Sequence, residues 1–258
     1  MNTSTPLLTF VYTLDHPWPV RERTDVYPDG QLHHFVQGAM DPNRRNQAGQ
    51  YVFQLSDTRL DNVYALARAL LTLPPQKNQT RPEGVQVSLN VTLDNQSQSH
   101  SLSVGFPPTD PVLAEALQMG HTLLIAAMNH PLAVVKLSLL LRNTAIFVLE
   151  NIGSESVQFL LQPEELALIH NEDQQTVWQN SEDTLMGLVD GLGRLVDGLH
   201  AAAILPPQSK ATLALPALPP SISNPTTLRA VLAGSITVTT HTTAPGTTTE
   251  APFWLFSG

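Results

Sequence analysis

The side chains that could do chemistry are few and scattered. Nine histidines make a metal site the first possibility, and His33-His34 is the only adjacent pair. Neighbours in a strand point to opposite faces, so these two rings cannot chelate one ion. Neither His-x-x-Glu-His nor His-Glu-x-x-His occurs, and the pair reads as the surface of a hairpin. Glu164-Glu165 could supply an acid and a base if two environments split their pKa values. Adjacent and directly after Pro163, they read instead as a solvated turn. The chain has no cysteine nucleophile, no Gly-x-Ser-x-Gly elbow and no glycine-rich phosphate loop after a strand. No catalytic, cofactor-binding or metal-ligating residue is assigned, and the chain reads as a binding protein rather than an enzyme.

Two features could bind a partner. Leu188-Val189-Asp190-Gly191-Leu192 recurs as Leu195-Val196-Asp197-Gly198-Leu199. The repeat places Leu185, Leu188, Leu192, Leu195 and Leu199 on one face of a helix over Leu185 to Leu199, with Asp190, Arg194 and Asp197 away from it. Gly187, Gly191, Gly193 and Gly198 each cost a helix about 1 kcal/mol relative to Ala, so this amphipathic segment needs a surface to pack on. That surface is its own domain, another chain or a target. Trp18, between Pro17 and Pro19 and close to His16, either offers an aromatic anchor to a partner or folds back onto its own domain.

The elements that would carry these residues follow from periodicity and turn chemistry. Strands are expected at Leu7 to Leu14, Arg21 to Tyr27, Gln31 to Gln37 and Gln50 to Leu55, with Pro28-Asp29-Gly30 turning the second into the third. Ser56 is placed to cap a helix to about Leu73 that buries Leu60, Val63, Tyr64, Ala67, Leu70 and Leu71. Val85, Val87, Leu89, Val91 and Leu93 alternate with polar residues as a strand with one wet face. Asp94 to Gln96 turns it into a partner at Ser99 to Gly105. Asp110-Pro111 then caps a helix through about Met128. Beyond Pro131 come short apolar runs at Leu132 to Leu141, Ala145 to Asn151, Val157 to Leu161, Leu166 to His170 and Thr176 to Gln179. Ala211 to Leu215, Leu228 to Thr240 and Ala251 to Phe256 complete a sandwich-like series. The Thr-rich stretch Thr239 to Thr249 reads as a hairpin tip. This gives an α+β N-terminal domain over 1–130, summarised as β-β-β-α-β-β-α, and an all-β immunoglobulin-like sandwich over 131–258 with an inserted amphipathic helix.

Composition narrows the function classes. Hydrophobic residues make up 42% of the chain and charged residues 14%, a globular balance. The formal net charge of −9 gives phosphate backbones no basic face, so nucleic acid is not an expected partner. The longest apolar runs are broken by His130-Pro131 and Lys136 short of a membrane span, and no membrane partner is expected. The absence of cysteine and of a signal-peptide layout points to the cytoplasm, where the sequons at Asn2, Asn78, Asn90 and Asn95 carry no meaning.

From Asn151 the chain runs N-x-G-S-E-S-V-Q-F, then the short strand Leu166 to Ile169, Asp173 to Trp178 and, later, Leu205-Pro206-Pro207-Gln208-Ser209. This resembles the immunoglobulin-like intracellular proteinase-inhibitor domains of bacilli, with Gln208 where that group carries Gly. The first half is similar in layout to the emfourin-like inhibitors of thermolysin-type proteases. The likeness lies in its opening strands, the Leu55-Ser56 helix start and a hairpin over Val85 to Val104, with Asp15-His16-Pro17-Trp18 in place of an early Gly-Gly turn. Together the resemblances imply a two-headed protease inhibitor. The expected function is therefore a non-catalytic protein-binding module, inhibitor-like in form, using Trp18, Leu188, Leu192, Leu195 and Leu199. The alternative is a structural subunit that self-associates through the Leu185 to Leu199 helix and sheet edges.

Overall fold

The structure is a computed structural model that describes residues 5–14, 19–76, 84–104, 108–141, 145–162, 166–170, 175–179, 189–190, 202–214, 228–239 and 248–257. It is mostly β, with two α-helices and antiparallel sheets. No helix among the described residues is long and apolar enough to cross a membrane. The chain forms two compact units: described residues of Met1–Val36 and Gln50–Pro131 build the first, and those of Gln37–Gly49, Leu132–Thr240 and Gly246–Gly258 the second. One crossing between units thus falls at Pro131, and the segment Gln37–Gly49 works with the second half of the chain.

In the first unit the strands are β1 (Leu8–Leu14), β2 (Val20–Val26), β3 (Gln31–Gly38), β4 (Gln47–Gln54), β5 (Gln86–Leu93) and β6 (Gln96–Ser103). The helices are α1 (Asp57–Thr72) and α2 (Pro111–Ala127). Four strands precede α1, so the order is β-β-β-β-α-β-β-α. Their lateral order is β4-β3-β2-β1-β5-β6, with β1 antiparallel to both β2 and β5. The β2–β3 turn forms where Pro28-Asp29-Gly30 requires it: Gly30 sits at φ +82, its N–H donates to Tyr27 O, and Asp29 Oδ1 accepts from Gln31 N.

Asp110 caps α2 by accepting from the Val112 and Leu113 amides, with Pro111 in the first turn. Ser56 stands at the N-cap of α1 but makes no side-chain cap bond; only its carbonyl engages, accepting from Leu60 N. The buried face of α1 is Val63, Leu66, Ala67 and Leu70, while Leu60, Tyr64 and Leu71 lie at its margin. At the other end, Gln98 Nε2 of β6 donates to Leu70 O and Leu73 O and so satisfies carbonyls that the helix leaves open. A Cβ on Gly120 would come within 2.8 Å of the Phe10 ring and the Tyr12 hydroxyl, so glycine lets α2 settle onto β1. Fully burying a side chain such as Phe10 or Leu89 contributes about 1.5–3 kcal/mol.

The second unit contains β7 (Pro131–Leu141), β8 (Ala145–Asn151), β9 (Val157–Leu161), β10 (Ala167–His170), β11 (Thr176–Gln179) and β12 (Val189–Asp190). It continues with β13 (Ala202–Leu205), β14 (Lys210–Ala214), β15 (Leu228–Thr239) and β16 (Thr248–Phe256). One sheet runs β12-β14-β8-β7. The other is organised on β15, which pairs with β16 along one edge and, along the other, with β9 over Gly234–Thr237 and β10 over Leu228–Val231. Beyond them lie β13 on β9 and β11 on β10. Trp178 of β11 meets Phe147 of β8 with ring centroids 6.5 Å apart, joining the two sheets through their apolar sides. Asn151 is fully buried: its amide donates to Glu155 O and Leu205 O, and its oxygen accepts from Gly153 N. The pairing of β15 with β16 up to Thr239↔Thr248 makes a hairpin whose tip, 240–247, lies outside the described residues.

The helix expected over Leu185 to Leu199 is corrected at the two positions described within it. Val189 and Asp190 are extended and pair antiparallel with Thr212 and Ala211 of β14. Glycine on nearly every turn of that segment makes a helix costly, and a β-branched valine favours the extended backbone.

Candidate functional site

A surface that could receive a partner is built on β9 and β13. Their register, Leu160↔Ala202 and Gln158↔Ile204, makes Leu160 and Ile204 diagonal neighbours on one face. Period-two alternation buries Val157, Phe159, Leu161 and Leu205 in the unit and leaves Leu160 44% and Ile204 60% exposed. Ile204 is the most exposed large hydrophobic residue among those described. Strand β13 ends its sheet on this side among the described residues, and Pro206-Pro207 closes it. Neither β9 nor β13 carries a charge, although charged residues commonly guard a sheet edge. An extended peptide can add to such an edge through backbone hydrogen bonds and rest apolar side chains on the Leu160–Ile204 face.

The turn after β13 is tight. Ser209 N and Oγ both donate to Pro206 O, and Gln208 adopts φ +58, the left-handed region that favours glycine. Gln208 Nε2 reaches toward Ile152 O and Gly153 O at 3.4 Å each, which ties the turn to the Asn151 bend.

The first unit holds a polar cluster inside its sheet. Tyr12 and Glu22 are directly opposed on β1 and β2. Thr24 Oγ1 lies 2.9 Å from His34 Nδ1, and His34 Nε2 lies 3.8 Å from Glu22 Oε2. All four are buried, His34 at 0% exposure and Glu22 at 2%. Burial, with the Glu22 charge as a second cause, pushes the Tyr12 phenol up from its ordinary value. At 3.8 Å the acid and the imidazole are too far apart to share a proton, and the buried cluster links β1, β2 and β3 through their side chains. The expectation of a surface histidine pair therefore holds for His33 alone, which is partly exposed with its ring edge-on to Tyr27 at 5.1 Å. His34 takes the opposite face, with Leu32 and Val36, and is buried with them.

A groove of about 370 Å³ also opens between α1 and α2, lined in part by Arg59, Asn62 and Val63 from one helix and Glu115, Gln118 and Met119 from the other. Among the described residues no group of three or more His, Cys, Asp or Glu could hold a metal ion.

Of the residues singled out from the sequence, Trp18 lies in 15–18, outside the described residues, as does Glu164-Glu165. Leu188, Leu192, Leu195 and Leu199 likewise lie outside them. Sequence reasoning missed Leu160 and Ile204. Leu160 sits in an expected strand, in phase with Gln158 rather than with Val157, Phe159 and Leu161, and that phase was the available signal. Comparison of the chain with known protein families, with curated proteins and with solved structures gives no match in any of the three.

Proposed function

We propose that this chain is a non-catalytic protein-binding module that takes an extended segment of its partner at the β13 edge. The observation that carries this reading is the uncharged edge strand with Ile204 and Leu160 exposed side by side. In this reading the first unit is an α+β domain and the second an immunoglobulin-like sandwich. The antiparallel sheets around Phe147 and Trp178 and the buried Asn151 bend support that assignment. The left-handed Gln208 in the Pro206–Ser209 turn supports the likeness to proteinase-inhibitor domains, because glycine is the residue such a backbone prefers. The partner class that follows from the two resemblances is a protease, either an intracellular proteinase of bacilli or one of the thermolysin type.

The test is a titration of an intracellular proteinase of bacilli and of a thermolysin-type protease with the intact chain and with Ile204→Asp. Stoichiometric loss of protease activity, with the chain left uncut and the effect removed by Ile204→Asp, is the expected result. Full protease activity at a large molar excess of chain would overturn the inhibitor reading. The same edge favours a second reading, self-association by strand pairing. Light scattering separates the two: a dimer that Ile204→Asp returns to monomer would replace the binding module with a self-assembling subunit.

A further inference from the structure

The described lining of the groove between α1 and α2 belongs wholly to the first unit and combines an apolar floor with a charged rim. Arg59, Asn62 and Val63 stand at the spacing of one helical face, as do Glu115, Gln118, Met119, Thr122 and Leu123 on the other helix. The two faces line one opening of about 370 Å³. Val63 and Leu123, 1% and 4% exposed, form its floor, and Met119 is half-buried. Arg59, Asn62, Glu115 and Gln118 are exposed around it.

The rim carries one guanidinium on the α1 wall and one carboxylate on the α2 wall. Among the described residues the Arg59 and Glu115 side chains enter no ion pair or hydrogen bond, with each other or with a third group. The side-chain amides of Asn62 and Gln118 are equally uncommitted there, whereas Thr122 Oγ1 turns back to donate to Gln118 O at 2.9 Å. The charged atoms of Arg59 and Glu115 therefore lie more than 4.0 Å apart. Packed helices keep their axes about 8–10 Å from each other, so long side chains from both can reach one small molecule in the seam.

Opposite charges on opposite walls select a ligand that carries both. An anion alone is met by the Arg59 fork but repelled by Glu115, and a cation alone meets the reverse. The floor adds the need for an apolar body, and the volume is at the lower end of ligand pockets, that of a small molecule. A zwitterion with an apolar side chain meets all three conditions. Its carboxylate accepts from the Arg59 guanidinium, its ammonium donates to the Glu115 carboxylate, and its side chain covers Val63 and Leu123. With both charges on one carbon, the whole molecule stays within the opening. We propose that the α1–α2 groove binds a free α-amino acid with an apolar side chain.

The experiment is isothermal titration of the full chain at pH 7 with L-leucine, L-methionine and L-phenylalanine. Isocaproate and isoamylamine serve as analogues of leucine that keep the apolar body and one charge each. Saturable binding of at least one amino acid is the expected result, with leucine about tenfold or more tighter than either analogue if leucine is the ligand bound. Arg59→Gln and Glu115→Gln stand at exposed positions where folding tolerates them, and each should weaken binding about tenfold. Wild-type protein that shows no saturable binding of any of the three amino acids up to ~10 mM overturns the proposal. So does equal affinity in wild type and both variants, which would put the ligand elsewhere on the chain. Binding of isocaproate or isoamylamine as tight as that of the best amino acid overturns it as well, because one charge would then suffice.

Discussion

The first unit places a carboxylate and an imidazole in the middle of a sheet, whereas the second leaves an isoleucine and a leucine exposed on the face of β13 and β9, the last two strands of their sheet among the described residues. Each departs from the usual sorting of side chains, and in opposite directions. Glu22 and His34 sit where apolar residues would pack without electrostatic cost, and they are tolerated because they face each other and Thr24. Leu160 and Ile204 sit where charge would protect the edge, and both stay exposed. The inward departure ties neighbouring strands together through their side chains, while the outward one leaves apolar surface exposed.

The sharpest way to break this contrast is to remove one member of the buried pair. His34→Leu should lower unfolding stability in urea by about 3–5 kcal/mol, because Glu22 is then left charged and buried beside a hydrocarbon. Glu22→Leu/His34→Leu should recover much of that loss. A loss below about 1 kcal/mol for the single variant would show that the pair does not set the sheet.

A smaller effect tests a second buried imidazole of the same unit. His100 is fully buried, with Gln98 3.0 Å from its Nε2 and Gln76 N 3.4 Å from its Nδ1. Burial holds its pKa below the ordinary value, against the opposing pull of the Leu70 carbonyl and Asp110. The unfolded chain therefore binds a proton more readily than the folded one. The contribution of neutral His100 is present above about pH 6.5 and is lost as pH falls from there toward the folded value. Thermal melts across pH 7.5 to 5 should show that decline, and His100→Gln should flatten it.

In the second unit, Gln208→Gly relieves a left-handed backbone and should stabilise by up to about 1 kcal/mol, offset in part by the loss of the long contacts to Ile152 and Gly153. The smallest expected change in stability is the most telling. Ile204→Ser should alter unfolding by no more than about 0.5 kcal/mol while reducing whatever the β13 edge binds. A large loss of stability would mean that Ile204 is structural and would dissolve the contrast between the units.

Much of the fold could be read from local signals. Asp110-Pro111, Pro28-Asp29-Gly30 and the alternation through Val87, Leu89 and Val91 each state their structure within a few residues. The runs from Leu132 to Gln179 fall close to where β7 to β11 form. What stayed hidden depends on pairing across long separations. The four residues of β13 lie in an alanine-rich stretch with weak strand propensity, and pairing with β9 makes them a strand. The burial of His34 was readable in principle, since it shares its phase with Leu32 and Val36, but the adjacent His33 suggested a surface pair.

Strand β15 has a further consequence for how the chain reaches this state. Both β9 and β10 pair with it along one edge, yet it is synthesised long after them, and β16 follows later still. During translation each of those two strands must wait with the edge that β15 will cover left open, and closing so large a loop makes that docking slow compared with the adjacent β5–β6 hairpin. The second unit is thus the part of the nascent polypeptide most exposed to mispairing and to capture by chaperones, in the interval before β15 emerges from the ribosome.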